Sequence, residues 1–151
     1  MNLLEVFKGM PEYVVIKMRD DFPDYTPGQD IDILCKDIFQ VMTHIGKYYR
    51  LKDFSVSQIG LDELSYTHYH FDHYLYESIG KIDIRFDLYS EYISPQLTAD
   101  ALQFKTTRKG VNVPISIFDS IIKSYEYLVN GKRKYEDYAK YKCILEEYES
   151  R

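Results

Sequence analysis

Gly28-Gln29-Asp30-Ile31-Asp32-Ile33-Leu34 is the stretch whose reading decides the fold. It places two carboxylates one residue apart inside an apolar run. In a strand, side chains alternate between faces with period two, so Asp30 and Asp32 point one way while Ile31 and Ile33 point into a core. Two carboxylates on one face repel each other and call for a cation between them. A divalent-metal site is the first expectation, and phosphoryl or nucleotidyl transfer the first chemistry.

Working outward, Tyr13-Val14-Val15-Ile16 reads as a buried strand. The intervening Asp20–Gln29 loop holds Pro23, Pro27 and Gly28. Residues 2–8 read as a short helix stopped by Gly9 and Pro11. Downstream, Ile38, Val41, Met42, Ile45, Tyr48 and Tyr49 recur at helical spacing, predicting a helix from Asp37 to Arg50 with Lys47 and Arg50 in its last turn.

Three strand candidates follow: Phe54–Ile59, Thr67–Tyr76 and Lys81–Tyr89. The third alternates most cleanly, with Ile82, Ile84, Phe86 and Leu88 against Asp83, Arg85 and Asp87. A hairpin turning at Glu77–Gly80 joins the last two. If Glu77 faces Gly80, Asp72 lies opposite Arg85 and His70 opposite Asp87, so that acid meets base across the ladder. Residues 95–110 fit neither pattern well. Ser116-x-x-Asp119 resembles a capping box opening a helix with Ile117, Phe118, Ile121, Ile122, Tyr125, Leu128 and Val129 as its buried stripe. Asn130-Gly131 supplies a stop, and a last helix is expected from about Arg133. Its Tyr135, Tyr138, Tyr141, Leu145 and Tyr148 form a stripe suited to core packing or a homodimer contact.

Composition bounds the class. The chain has 151 residues, 45% apolar and 28% charged, which fits one soluble domain with a core of useful size. A net charge of -5 offers no electrostatic footprint for nonspecific nucleic-acid binding. Cys35 and Cys143 match no metal or redox spacing and read as reduced thiols of a cytoplasmic protein. No apolar run approaches membrane-spanning length. The expected architecture is α+β, residues 1–151 as one domain. A mixed, largely antiparallel sheet of four or five strands lies within 1–110, and C-terminal helices occupy 111–151. Helices cover one face, and the other carries Asp30, Asp32 and Asp87.

The order strand, turn, Asp-hydrophobic-Asp strand, helix, later strand with a third Asp resembles the nucleotidyltransferase superfamily related to DNA polymerase β. Tyr13–Ile16, Asp30-Ile31-Asp32-Ile33 and Phe86-Asp87-Leu88 fill those places. A group of bacterial nucleotidyltransferase-like proteins is similar in more detail, through Tyr13–Lys17, Gly28–Leu34, Arg85–Tyr89 and Tyr135–Tyr138. The resemblance implies that Asp30, Asp32 and Asp87 bind Mg²⁺ (or Mn²⁺) and move a nucleotidyl group from an NTP to an acceptor that the sequence does not name. It also implies a Gly-Ser phosphate cradle after the first strand, where this chain has Lys17-Met18-Arg19-Asp20. Either Lys17 or Arg19, with Arg85 across the sheet, contacts phosphate instead, or the protein is a catalytically silent module that binds a nucleotide or a protein.

One competing motif stands apart. His68-x-His70-x-Asp72-His73 matches the metal-binding motif of metallo-β-lactamase-fold hydrolases, in which His and Asp hold metals that activate water. The poor strand before it, Leu61–Tyr66, and the bulky Tyr74-Leu75-Tyr76 after it argue against that fold.

Overall fold

The computed structural model describes residues 1–59, 66–77 and 80–129. The Tyr-rich segment from Arg133, the Asn130-Gly131 stop, Cys143 and the tip of the predicted hairpin lie outside them. The elements run α1 (Leu4–Phe7), β1 (Tyr13–Ile16), β2 (Asp30–Cys35), α2 (Ile38–Ile45), β3 (Arg50–Ile59), β4 (Tyr66–Glu77), β5 (Gly80–Tyr89), α3 (Pro95–Gln103), β6 (Lys105–Arg108), β7 (Val111–Pro114) and α4 (Ser116–Val129). The fold is α+β, with a mixed five-stranded sheet ordered β1-β2-β5-β4-β3 and a separate β6-β7 hairpin. That hairpin straddles residue 110, so strand structure extends past the point where the sequence suggested only helices.

β2 and β5 are parallel neighbours; the other pairs in the sheet are antiparallel. In the β4–β5 pair Glu77 faces Gly80, Asp72 faces Arg85 and His70 faces Asp87, the register expected from the hairpin. Gly80 takes φ 121°, a conformation open to glycine at little steric cost.

Both faces of the sheet are packed, but unequally. Val15, Ile31, Ile33, Ile84, Phe86 and Leu88 join a core with α1 and α2. Within it, His44 Nε2–H donates to the Val6 carbonyl at 2.7 Å and ties the two helices together. The opposite face is divided. Val14, Ile16, Leu34 and Tyr89 are buried under α3 and α4, with Leu97, Ile121 and Tyr125. The acids of β2 and β5 sit on that same face beyond the apolar cover. α3 and α4 therefore cover part of the face that carries the acids, where the sequence suggested that helices cover the opposite face.

Two local readings are revised. α2 stops at Ile45 with Gly46 as its cap, and Arg50 begins β3 by pairing with Tyr74. Arg50 is thus a strand residue, not part of a helix end. The long β4 supplies a ladder of hydrogen bonds for residues 50 onward, which outweighs the weak helical pattern of Tyr48 and Tyr49. The unassigned 95–110 segment resolves into α3 and β6. Ser94 Oγ accepts from the Leu97 N–H at 3.1 Å, and Pro95 occupies the first turn, where its missing N–H costs nothing.

A candidate acid and imidazole site on the sheet

Parallel pairing of β2 with β5 sets Asp30 opposite Arg85 and Asp32 opposite Asp87. Antiparallel pairing of β5 with β4 then adds His70 beside Asp87 and Asp72 beside Arg85. Period-two alternation puts all of these side chains on one face, together with His68 two residues before His70.

Asp87 is the centre of this arrangement. It is 5% exposed, and its Oδ1 lies 2.5 Å from His70 Nδ1 and 2.8 Å from His68 Nε2. The first contact is an aligned hydrogen bond. The second is a close contact without hydrogen-bond alignment, and His68 Nε2 is shut away from solvent. The far nitrogen of each ring is also engaged: His70 Nε2 lies 3.0 Å from Asp72 Oδ1, and His68 Nδ1 lies 3.4 Å from Ser57 Oγ. His68 stacks on the Tyr89 ring at 5.3 Å between centroids, which fixes its plane. Burial alone would raise the Asp87 pKa, yet the two imidazoles outweigh it and hold the carboxyl below its ordinary value. Burial likewise opposes the charged form of His70, but its bonds to Asp87 and Asp72 leave its pKa raised.

Asp32 is in a different condition. Its side chain is 14% exposed, it accepts from the Tyr89 hydroxyl at 3.1 Å, and Lys17 Nζ stands 3.6 Å away. Burial drives its pKa up to about 6, with the charges of Asp87 and Asp30 adding to the rise against Lys17 and Tyr89. Asp30 is raised too, first by burial and then by Asp87. The acids of this face therefore feel one another, but among the described residues the trio whose ligand atoms converge within 4.8 Å is His68, His70 and Asp87, not Asp30, Asp32 and Asp87.

The three basic residues proposed for phosphate fall in different places. Lys17 turns inward between Asp32 and Glu126, 3.8 Å from the latter, with its ammonium over the Tyr92 ring. Its backbone adopts φ 52°, a left-handed conformation that a side chain makes costly by about 1–2 kcal/mol. Arg19 is exposed and pairs with Asp21 at 3.7 Å. Arg85 pairs with Asp72 at 3.6 Å and remains half exposed. Lys17, Arg19, Asp30 and Asp32 share a small cleft of about 20 Å³, room for a single water or ion.

The hydrolase motif is not brought together. His73 faces the opposite side of β4 from His68, His70 and Asp72, and is 1% exposed with its ring edge-on to Phe86. Burial takes its pKa down to about 4, so it stays neutral in the core. Several residues of the site were not anticipated, Ser57 of β3 among them. Tyr89, two residues beyond Asp87 on the same face, could have been inferred from alternation. Glu126 comes from α4. Tyr25 accepts from the Arg85 backbone N–H at 3.1 Å and donates to the Gln29 carbonyl at 2.7 Å, pinning the β1–β2 loop to β5.

No protein-family model, no curated protein and no solved structure matches this chain. No helix among the described residues is long and apolar enough to cross a membrane.

Proposed function

We propose that this protein is a divalent-cation-dependent nucleotidyltransferase, with Asp30, Asp32 and Asp87 as the residues that hold Mg²⁺ or Mn²⁺. One observation carries the reading: the parallel β2–β5 register sets Asp32 directly beside Asp87, with Asp30 on the same face. The donor chemistry fits a hard cation, because these are oxygen ligands whose mutual repulsion a divalent ion would relieve. Bound there, Mg²⁺ would neutralise the charge of the NTP phosphates. The chain's own contribution is placement. Asp32 is oriented by the Tyr89 hydroxyl and Asp87 by His70. Arg85, half exposed at the mouth of the face, is positioned to meet a phosphate oxygen. The acceptor belongs to an unknown class, since function does not follow from fold.

A second reading is favoured by Lys17. Its ammonium supplies Asp32 with a built-in cation where the resembled family has Gly-Ser. On this reading the protein binds a nucleotide or a partner without chemistry. Calorimetry with each NTP, with and without Mg²⁺, followed by a pyrophosphate-release assay, separates the two. Metal-dependent NTP binding and pyrophosphate release, both lost in Asp30→Asn with Asp32→Asn, support the enzyme. NTP binding that ignores metal and survives that double substitution rules it out.

A further inference from the structure

We propose that His68, His70 and Asp87 form a second kind of metal site on this face, one that takes a borderline divalent transition metal such as Zn²⁺ or Co²⁺. The site shares Asp87 with the nucleotidyl-transfer reading but needs neither Asp30 nor Asp32, so the two can fail separately.

Three observations carry it. The donor atoms of these three residues all lie within 4.8 Å of one another, and they come from the adjacent strands β4 and β5, whose register fixes them. Both imidazoles converge on the same oxygen, Asp87 Oδ1. Their outer nitrogens are meanwhile held by Asp72 and Ser57. A His whose far N–H is bonded to a carboxylate, with its near nitrogen aimed at a ligand position, is how protein metal sites fix the imidazole tautomer. With His70 Nε2–H donating to Asp72, the neutral ring turns the lone pair of Nδ1 toward a carboxylate oxygen. In the metal-free protein a proton bridges Nδ1 and that oxygen, and a metal would take the proton's place. His68 repeats the situation: its Nε2 is closed to solvent and has no aligned partner, although the Asp87 oxygen is 2.8 Å away.

The dimensions are suitable. Donors about 2.1 Å from a tetrahedral ion lie about 3.4 Å from each other, so admitting the metal asks each imidazole to retreat by less than about 1 Å. Two imidazoles and one carboxylate favour Zn²⁺ or Co²⁺ over Mg²⁺ and Ca²⁺, which prefer all-oxygen shells. Three protein donors leave a coordination position for water or a further ligand. His73, the fourth ligand that the sequence motif would add, faces the other side of the strand and takes no part.

The test titrates the metal-stripped full chain with Zn²⁺ in a calorimeter and with Co²⁺ in a visible-range spectrometer. One equivalent is expected to bind, with Co²⁺ giving the absorption of a nitrogen-bearing, low-symmetry site. His68→Ala and His70→Ala should abolish the signal. Asp72→Asn, which removes the carboxylate behind His70 and with it the partner of Arg85, should weaken binding roughly 10–100-fold. Asp30→Asn with Asp32→Asn should keep it. X-ray absorption on the unaltered Zn²⁺-loaded protein counts imidazoles directly and does not rely on variants folding; two are expected. Absence of stoichiometric binding, binding that persists without both histidines, or fewer than two imidazoles around zinc overturns the proposal.

Discussion

Asp32→Asn should make the metal-free protein more stable at neutral pH. The Asp32 carboxyl is pushed from 3.8 to about 6, chiefly by burial. A carboxyl whose folded pKa exceeds its unfolded one favours folding while protonated. That contribution is complete below about pH 3.8 and is lost as pH rises to about 6. The shift is about 2 units, and each unit is worth about 1.4 kcal/mol, so the ionised form costs the native state about 3 kcal/mol above pH 6. An asparagine carries no charge, and its Oδ1 can keep the bond from Tyr89. The substitution should therefore gain up to about 3 kcal/mol at pH 7.5, roughly 6–12 °C in Tm for a chain of this size. It should gain little at pH 3.5. Urea denaturation of both proteins in EDTA, across pH 3.5–8, measures the difference. Mg²⁺ should then stabilise the parent and not the variant, by about 2.7 kcal/mol at a hundred times its dissociation constant. A variant less stable than the parent at pH 7.5, or a difference that does not change with pH, would refute the account of Asp32 as a carboxylate held at a cost.

The His70–Asp87 pair should show a stability window. The Asp87 contribution, from a lowered pKa, is present above pH 3.8 and lost as acid titrates it; that of His70, from a raised pKa, is present below pH 6.5 and lost above it. The stability difference between parent and His70→Gln should therefore be largest between these limits and shrink on both sides, as followed by chemical denaturation. Phe86→Ala should cost about 3–5 kcal/mol, because Phe86 is fully buried beside Asp87 and contacts Tyr49 and His73. A loss under 1 kcal/mol in urea would contradict the packing described. Cys35 is fully buried, and burial raises its thiol pKa to about 12, so in a Cys143→Ser background it should resist a disulfide reagent until denaturant is added. Rapid labelling of the native protein would place Cys35 elsewhere.

Much of the sheet was legible because period-two alternation is unambiguous where one face is acidic and the other aliphatic. Asp30-Ile31-Asp32 and Ile84-Arg85-Phe86-Asp87 each announce their own facing, and Gly80 announces the turn that sets the β4–β5 register. The same rule, applied one residue further, separates His73 from His68 and His70. A linear motif cannot show this, because ligand spacing on a strand differs from spacing on a loop. The end of α2 was not legible: Lys47 to Tyr49 continue a helical pattern, and only the length of β4 reveals that Arg50 is recruited as its partner. α3 was signalled by Ser94-Pro95 and by Leu97, Ala101 and Leu102, but the exposed threonines of β6 behind it obscured the pattern. The Tyr89–Asp32 bond joins residues 57 apart and exists only because β5 lies parallel to β2, a pairing that local sequence does not encode.

The distribution of counter-charges decides where a ligand cation would settle. Asp87 is matched by His70, with the His68 ring also against it, and Asp72 by His70 and Arg85. Asp32 has Lys17, which it shares with Glu126. Asp30 makes no salt bridge or side-chain hydrogen bond among the described residues, yet it stands with Asp32 at the edge of the small cleft that also holds Lys17 and Arg19. Negative charge is thus least compensated between Asp30 and Asp32, while imidazole nitrogen is concentrated at Asp87. A hard cation carrying phosphate is drawn to the first position and a nitrogen-seeking metal to the second. The two positions meet at Asp87, which faces Asp32 across β2–β5 and His70 across β5–β4. Occupying one should therefore alter the affinity of the other, and by linkage the effect must be equal in both directions.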